Sequence, residues 1–90
     1  MELPTFVEML DEFIKDAPKA EKRLFIVVIP SWLDAAEAIP TLNDKYDVKT
    51  VIAAVSVGGF YATKNGVTAD NALTFAVPGY AQSIVLDSRG

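Results

Sequence analysis

The stretch that decides the fold runs from Arg23 to Val57 and reads RLFIVVIPSWLDAAEAIPTLNDKYDVKTVIAAVSV. It opens on the continuously apolar run Leu24 to Ile29 and closes on a second apolar stretch, Val48 to Val57. Runs of this kind are typical of strands that are buried on both faces of a sheet. A strand, a helix and a strand within this span predict a βαβ unit, with parallel pairing and a right-handed crossover.

The segment between the two strands predicts a helix from Trp32 to Ile39. Ser31 can cap its N-terminus, because Ser31 and Asp34 have nearly the spacing of a capping box. Pro40 is expected to break or restart the helix, and Asn43-Asp44 has the composition of a loop. Four side chains are expected to face inward: Trp32, Leu33, Ala36 and Ile39.

The N-terminal segment predicts an amphipathic helix that ends near Ala17-Pro18. Its acids Glu8, Asp11 and Glu12 lie opposite the apolar stripe, whereas a helix on a membrane surface needs Lys and Arg there. The stripe is therefore expected to face the core. It consists of Leu3, Phe6, Val7, Leu10, Phe13 and Ile14.

The C-terminal half predicts an antiparallel β-meander. Asn65-Gly66 suits a tight hairpin turn, and Leu73–Val77 and Ser83–Leu86 have the length and composition of strands. The chain is thus expected to form one domain, residues 1–90, of the α+β (or small α/β) class. We expect an N-terminal amphipathic helix, one βαβ unit and the meander, arranged as a two-layer mixed sheet of four to five strands.

Composition narrows the chemistry. The chain contains no His and no Cys, so the commonest general base, the commonest zinc ligand and all thiolate sites are excluded. A net charge of −4 without a basic stripe predicts no nucleic-acid partner. No apolar run approaches the roughly 20 residues that span a bilayer, so we expect no membrane partner and a cytoplasmic location. We predict no cofactor, no metal ligand and no catalytic residue.

Two kinds of candidate site can be weighed against plain structural roles. The strand-to-helix turn at Ser31 and Trp32 lies where α/β proteins bind small molecules or anions, but Ser31 also serves as an ordinary helix cap. The carboxylate pairs could hold Mg²⁺ or carry out acid–base chemistry, but helix surfaces carry such pairs routinely. These pairs are Asp34 with Glu37 and Asp44 with Asp47.

The leading functional expectation is a non-catalytic protein-interaction or assembly module that associates with itself or with another protein, of the kind found among accessory and viral proteins. With 51% hydrophobic residues and only two helices, one sheet face is expected to lack cover within the monomer. The expected interface residues are Phe60, Tyr61 and Tyr80. The last strand or the Asn65-Gly66 hairpin is expected at a free sheet edge. Alternatives are a small-molecule or anion-binding domain near Ser31 and, third, an enzyme that uses carboxylates.

Overall fold

A computed structural model describes residues 3–17, 22–57, 59–61, 64–68, 71 and 77–87, without the side chains of Leu3, Ile84 and Leu86. The helices and strands, in chain order, are α1 (Leu3–Asp16), β1 (Arg23–Val28), α2 (Trp32–Lys45), β2 (Thr50–Ser56), β3 (Gly59–Tyr61) and β4 (Ala81–Asp87). The strands form one sheet in the order β3-β2-β1-β4. The predicted α+β fold, with an N-terminal helix and a four-stranded mixed sheet, is confirmed.

The βαβ unit lies at the centre of the sheet. β1 pairs in parallel with β2, in a register that runs from Arg23 opposite Thr50 to Val28 opposite Val55. Residues 24–27 of β1 and 51–54 of β2 are buried, as the continuous apolar runs predicted. Side chains of both faces of these strands therefore belong to the core.

α1 and α2 pack on the same face of the sheet. The buried stripe of α1 consists of Phe6, Leu10 and Ile14, which form one cluster with residues of β1, β2 and α2. Phe13, which was expected in this stripe, leaves 37% of its surface exposed. Phe13 lies on the flank of α1, where its ring meets Phe25 edge-on with the centroids 6.0 Å apart.

α2 differs from its prediction in length and in orientation. Pro40 does not end the helix, which continues to Lys45 and includes Asn43 and Asp44. Pro40 is exposed, so it removes one helical hydrogen bond on the solvent side while the buried stripe continues past it. That stripe is Ala35, Ala38, Ile39, Leu42 and Asn43. The predicted inward positions Trp32 and Leu33 are exposed instead, because the small alanines rather than these large side chains face the sheet.

The opposite face of the sheet is also packed, contrary to the expectation that it lacks cover. Side chains of β1 and β2 on this face are buried together with Phe60, Val67 and Val77. Val67 and Val77 belong to the chain between β3 and β4, which therefore supplies the cover. The two-sided apolar pattern of β2 reflects a core on each side of the sheet.

The position of the last strand also differs from the predicted topology. β4 pairs in parallel with β1 and lies at one edge of the sheet, so it does not continue an antiparallel meander from β3. The chain thus passes from the β3 edge to the opposite edge, and Val67 and Val77, between these strands in the sequence, pack on the sheet face opposite the helices. The predicted strand Leu73–Val77 falls almost wholly outside the described residues. The predicted tight turn is confirmed: Asn65 and Gly66 have φ values of 54° and 80°, and they link the paired residues Lys64 and Val67.

Candidate interaction surfaces

The two edges of the sheet differ in how their backbone groups are satisfied. β3 pairs with β2 only from Ala54 to Ser56. Beyond β3, the Asn43 side chain accepts a hydrogen bond from the Ile52 nitrogen at 2.7 Å and donates one to the Ile52 oxygen at 3.0 Å. Side chains thus replace the missing strand along this edge, which protects it from pairing with other chains.

Lys64 satisfies further backbone carbonyl groups at the same edge of the sheet. Its ammonium nitrogen donates to the Thr50 carbonyl of β2 at 2.9 Å. The same nitrogen lies 2.7 Å from the Asn43 carbonyl, 3.1 Å from that of Tyr46 and 2.8 Å from that of Asp47. A cation at the C-terminus of a helix is favoured by the unpaired carbonyls there. Lys64 therefore fastens the end of α2 to the start of β2.

The other edge, formed by β4, has no such cover among the described residues. Ala81 donates its N–H inward, to the Lys22 carbonyl at 2.9 Å. Because successive residues of a strand direct their backbone groups to alternate sides, those of Gln82 and Ile84 point away from β1. The pairing with β1 becomes irregular after Ile84, so the regular open edge runs from Ala81 to Ile84.

A groove of about 920 Å³ lies between α1 and this open edge, with Ser83 at its β4 side. Met9 and Phe13 supply apolar surface along the α1 side. The ionisable side chains that line it are all acidic: Glu8, Asp11, Glu12 and Asp16. We refer to this feature as the α1–β4 groove.

One of these acids is already neutralised. Asp11 forms an ion pair with Lys45 at 2.6 Å and accepts a hydrogen bond from the Tyr46 hydroxyl at 2.6 Å. The bond from Lys45 and then that from Tyr46 lower the pKa of Asp11, whereas burial and the Asp11 charge raise the pKa of Tyr46. No ion pair joins Glu8, Glu12 or Asp16 to a cation within the described part of the chain. The uncompensated charge of the groove is therefore negative.

A second surface lies at the end of the sheet where β1 and β2 finish. Trp32 and Leu33 begin the helix that follows β1, and their surfaces are 42% and 74% exposed. Val57, which follows β2, is 97% exposed. Tyr61 meets Trp32 edge-on, with ring centroids 5.4 Å apart. We refer to Trp32, Leu33, Val57 and Tyr61 as the Trp32 patch.

The three predicted interface residues lie in different parts of the structure. Phe60 is only 8% exposed and packs in the core of the second face. Tyr80 lies beside the opposite edge strand, half-buried, with the Lys22 ammonium 5.3 Å from its ring centre. Tyr61 alone joins an exposed apolar surface, together with Trp32, which was predicted at the ligand turn. Leu33 and Val57 were not predicted as interface residues. The sequence pattern around each of them does not distinguish exposed from buried apolar side chains.

At the predicted ligand turn, Ser31 acts as a helix cap. Its hydroxyl oxygen accepts a bond from the Asp34 nitrogen at 3.1 Å and donates one to the Asp34 carboxylate at 2.7 Å. An anion approaching this helix end would meet that carboxylate, which is electrostatically unfavourable. The geometry gives the anion-binding alternative no support.

The carboxylate pairs considered in the sequence do not form one cluster. Asp34 is engaged by Ser31, and Asp47 lies beyond the end of α2, where it accepts the Lys49 N–H at 3.0 Å. No group of three or more potential metal-ligating side chains occurs among the residues that the structure describes. Over the same residues, no helix is long and apolar enough to cross a membrane.

In comparisons with family models, with curated proteins and with solved structures, nothing matches this chain.

Proposed function

We propose that this domain is a non-catalytic protein-interaction module that self-associates through the Trp32 patch. One observation carries the proposal. Three of the five large apolar side chains that are exposed in the described part of the chain lie at one end of the sheet: Trp32, Leu33 and Val57. Single exposed apolar residues are ordinary, but their concentration at one place is typical of an interaction surface.

The chemistry of the patch suits a second copy of the same chain. Its four members are uncharged, so a two-fold axis through the patch places apolar surface against apolar surface, with the Asp34 carboxylate, which Ser31 engages, beside it. The α1–β4 groove lacks this property, because a two-fold axis there would bring Glu12 and Asp16 towards their own copies. A second copy is therefore the occupant that the composition of the Trp32 patch favours.

The rings of the patch also favour tight packing at low entropic cost. Trp and Tyr contribute disproportionately to the binding free energy of protein interfaces. The edge-on contact between Trp32 and Tyr61 restrains both side chains before association, so less conformational freedom is lost on docking. Leu33 and Val57 can then be buried around this aromatic pair.

Sedimentation velocity over a concentration series tests the proposal with a matched pair of variants. Leu33→Ser removes an exposed apolar side chain from the patch, whereas Val48→Ser removes one that is 70% exposed in the turn between α2 and β2. Burying a Leu contributes roughly 1.5 to 3 kcal/mol, and about 1.4 kcal/mol corresponds to a tenfold change in Kd. We expect Leu33→Ser to weaken the dimer at least tenfold and Val48→Ser to leave it unchanged.

Two results would contradict self-association through this patch. The first is a wild-type chain that remains monomeric up to about millimolar concentration, where even weak pairs form. The second is a dimer that both variants weaken equally, because the association would then depend on general surface hydrophobicity rather than on the patch.

A further inference from the structure

We infer that the α1–β4 groove binds an extended, positively charged segment of another protein, which adds to the sheet as a strand beside β4. This interaction surface is separate from the Trp32 patch and goes beyond the proposed self-association. Its support comes from the contrast between the two sheet edges and from the chemistry of the groove.

The two edges of the sheet differ in whether their outward backbone groups are occupied. Asn43 and Lys64 occupy the backbone groups of β2 where β3 ends. At the other edge the outward backbone groups of Gln82 and Ile84 meet no strand in the described part of the chain. An unpaired edge of this kind can accept an added strand, whose main-chain hydrogen bonds provide affinity without a specific sequence.

The α1–β4 groove determines which side chains the added strand can carry. α1 packs over β4, and Val85 is buried beneath it. Ser83 lies on the same face of β4, at the groove. Alternate side chains of an added strand would enter the groove and reach Met9 and Phe13. The segment therefore needs apolar residues at its centre, spaced two apart.

Charge determines the class of partner. Glu8, Glu12 and Asp16 border the groove without an ion pair in the described structure, so Lys or Arg at the ends of the added segment would be attracted. A second copy of this chain is disfavoured, because antiparallel pairing of two β4 strands would set two acidic α1 flanks side by side. The occupant is thus a cationic segment of a different protein.

Fluorescence anisotropy with the whole chain and three labelled peptides tests this inference. The first peptide, KTVTVTK, places Lys, Val, Val and Lys on one face of a strand. The second, ETVTVTE, reverses the charge, and the third is KTVTVTK with N-methylated backbone amides at alternate residues. We expect KTVTVTK to bind and each of the other two peptides to bind at least tenfold more weakly.

Protein variants complete the experiment. The double variant Glu12→Gln/Asp16→Asn should weaken binding of KTVTVTK about tenfold at low ionic strength, whereas Glu37→Gln, an exposed acid of α2, should not. Raising the salt concentration should weaken binding, because exposed charges are screened. Leu33→Ser should bind the peptide as the wild type does, so loss of the dimer and loss of the peptide site can be told apart.

Three outcomes would overturn the inference. Equal binding of the N-methylated peptide would exclude strand addition, and equal binding of ETVTVTE would exclude charge selection. If the double variant instead dimerises more strongly and leaves peptide binding unchanged, the groove is an interface between copies of this chain. Circular dichroism of each variant should match the wild type, since the acid-to-amide substitutions are isosteric and all the substituted positions, Leu33 included, are exposed.

Discussion

The side chain of Asn43 forms two hydrogen bonds with the main chain of Ile52, one in each direction. The Asn43 amide oxygen lies 2.7 Å from the Ile52 nitrogen and its amide nitrogen lies 3.0 Å from the Ile52 oxygen. A polar residue of α2, buried in its apolar stripe, thus completes the edge of β2. This edge of the sheet is therefore satisfied from within the chain.

Replacing Asn43 should therefore destabilise the fold strongly. Asn43→Leu keeps a side chain of the same branched shape but leaves both backbone groups of Ile52 without a partner. Each buried group left unsatisfied costs about 1 to 3 kcal/mol, so with two such groups we expect the free energy of unfolding to fall by about 2 to 6 kcal/mol. Urea denaturation measures this quantity.

Asp44→Asn, at the next and exposed position, is the control and should change the stability by less than about 0.5 kcal/mol. Asn43→Asp keeps the acceptor for the Ile52 nitrogen but not the donor for the Ile52 oxygen. Its free energy of unfolding should therefore be lower than that of the wild type. If Asn43→Leu is as stable as the wild type, the buried amide does not support the edge of β2.

Pro40 offers a substitution that should stabilise the protein. In Pro40→Ala the backbone regains an N–H that can bond the Ala36 carbonyl within α2. Pro costs about 3 kcal/mol relative to Ala inside a helix, and part of this gain is offset because Pro also restricts the unfolded chain. We expect a gain of about 1 to 2 kcal/mol, measured as a higher urea midpoint.

Thr41→Ala, at the neighbouring exposed position, controls for helix propensity alone and should gain less than about 0.7 kcal/mol. A loss of stability in Pro40→Ala would mean that α2 needs the proline, for example to bend over the sheet.

The contact between Asp11 and Lys45 should make the free energy of unfolding depend on pH in the acidic range. The hydrogen bond from Lys45, followed by that from Tyr46, lowers the pKa of Asp11 below its ordinary value of 3.8. A carboxylate whose pKa is lowered by folding stabilises the native state above its unfolded pKa, and this contribution is lost as the pH falls through the folded pKa. The difference in urea midpoint between wild type and Asp11→Asn should thus be full at pH 6 and shrink below about pH 4.

A double-mutant cycle with Lys45→Gln provides the control for this pH effect. In the Lys45→Gln background, Asp11→Asn should have a smaller effect at pH 6, because the largest cause of the lowered pKa is absent. An Asp11→Asn effect that is identical at pH 6 and pH 3 would show that the contact does not couple protonation to folding.

Local sequence patterns predicted the parts of this fold that depend on a single segment. The apolar run from Leu24 to Ile29 marked the buried central strand, and Asn65-Gly66 marked the turn with positive φ. The face of α2 was not predictable, because Trp32 and Leu33 are more apolar than the alanines that contact the sheet. In the structure Ala35 and Ala38 are buried together with Ile39 and Leu42, a set that apolarity alone does not select.

The candidate interaction surfaces depend on the long-range arrangement of the strands and were only partly predictable. The last strand and the Asn65-Gly66 hairpin were the two segments expected at a sheet edge, and β4 does lie at an edge of the sheet. Its place beside β1, rather than beside β3, is a long-range parallel pairing that no single segment encodes. Tyr61 and Trp32 come together because β3 folds back next to β2, a contact that no local pattern contains. Tyr80 lies beside the opposite edge strand, where its described neighbours include Lys22.

The separation of Tyr61 from Tyr80 provides the most direct test of self-association through the Trp32 patch. Tyr61→Glu and Tyr80→Glu introduce the same charge on half-buried tyrosines near opposite edges of the sheet. Sedimentation velocity over a concentration series should show that Tyr61→Glu is monomeric, whereas Tyr80→Glu dimerises like the wild type. Circular dichroism establishes that both variants fold. A dimer that survives Tyr61→Glu, or one that only Tyr80→Glu disrupts, would contradict the account.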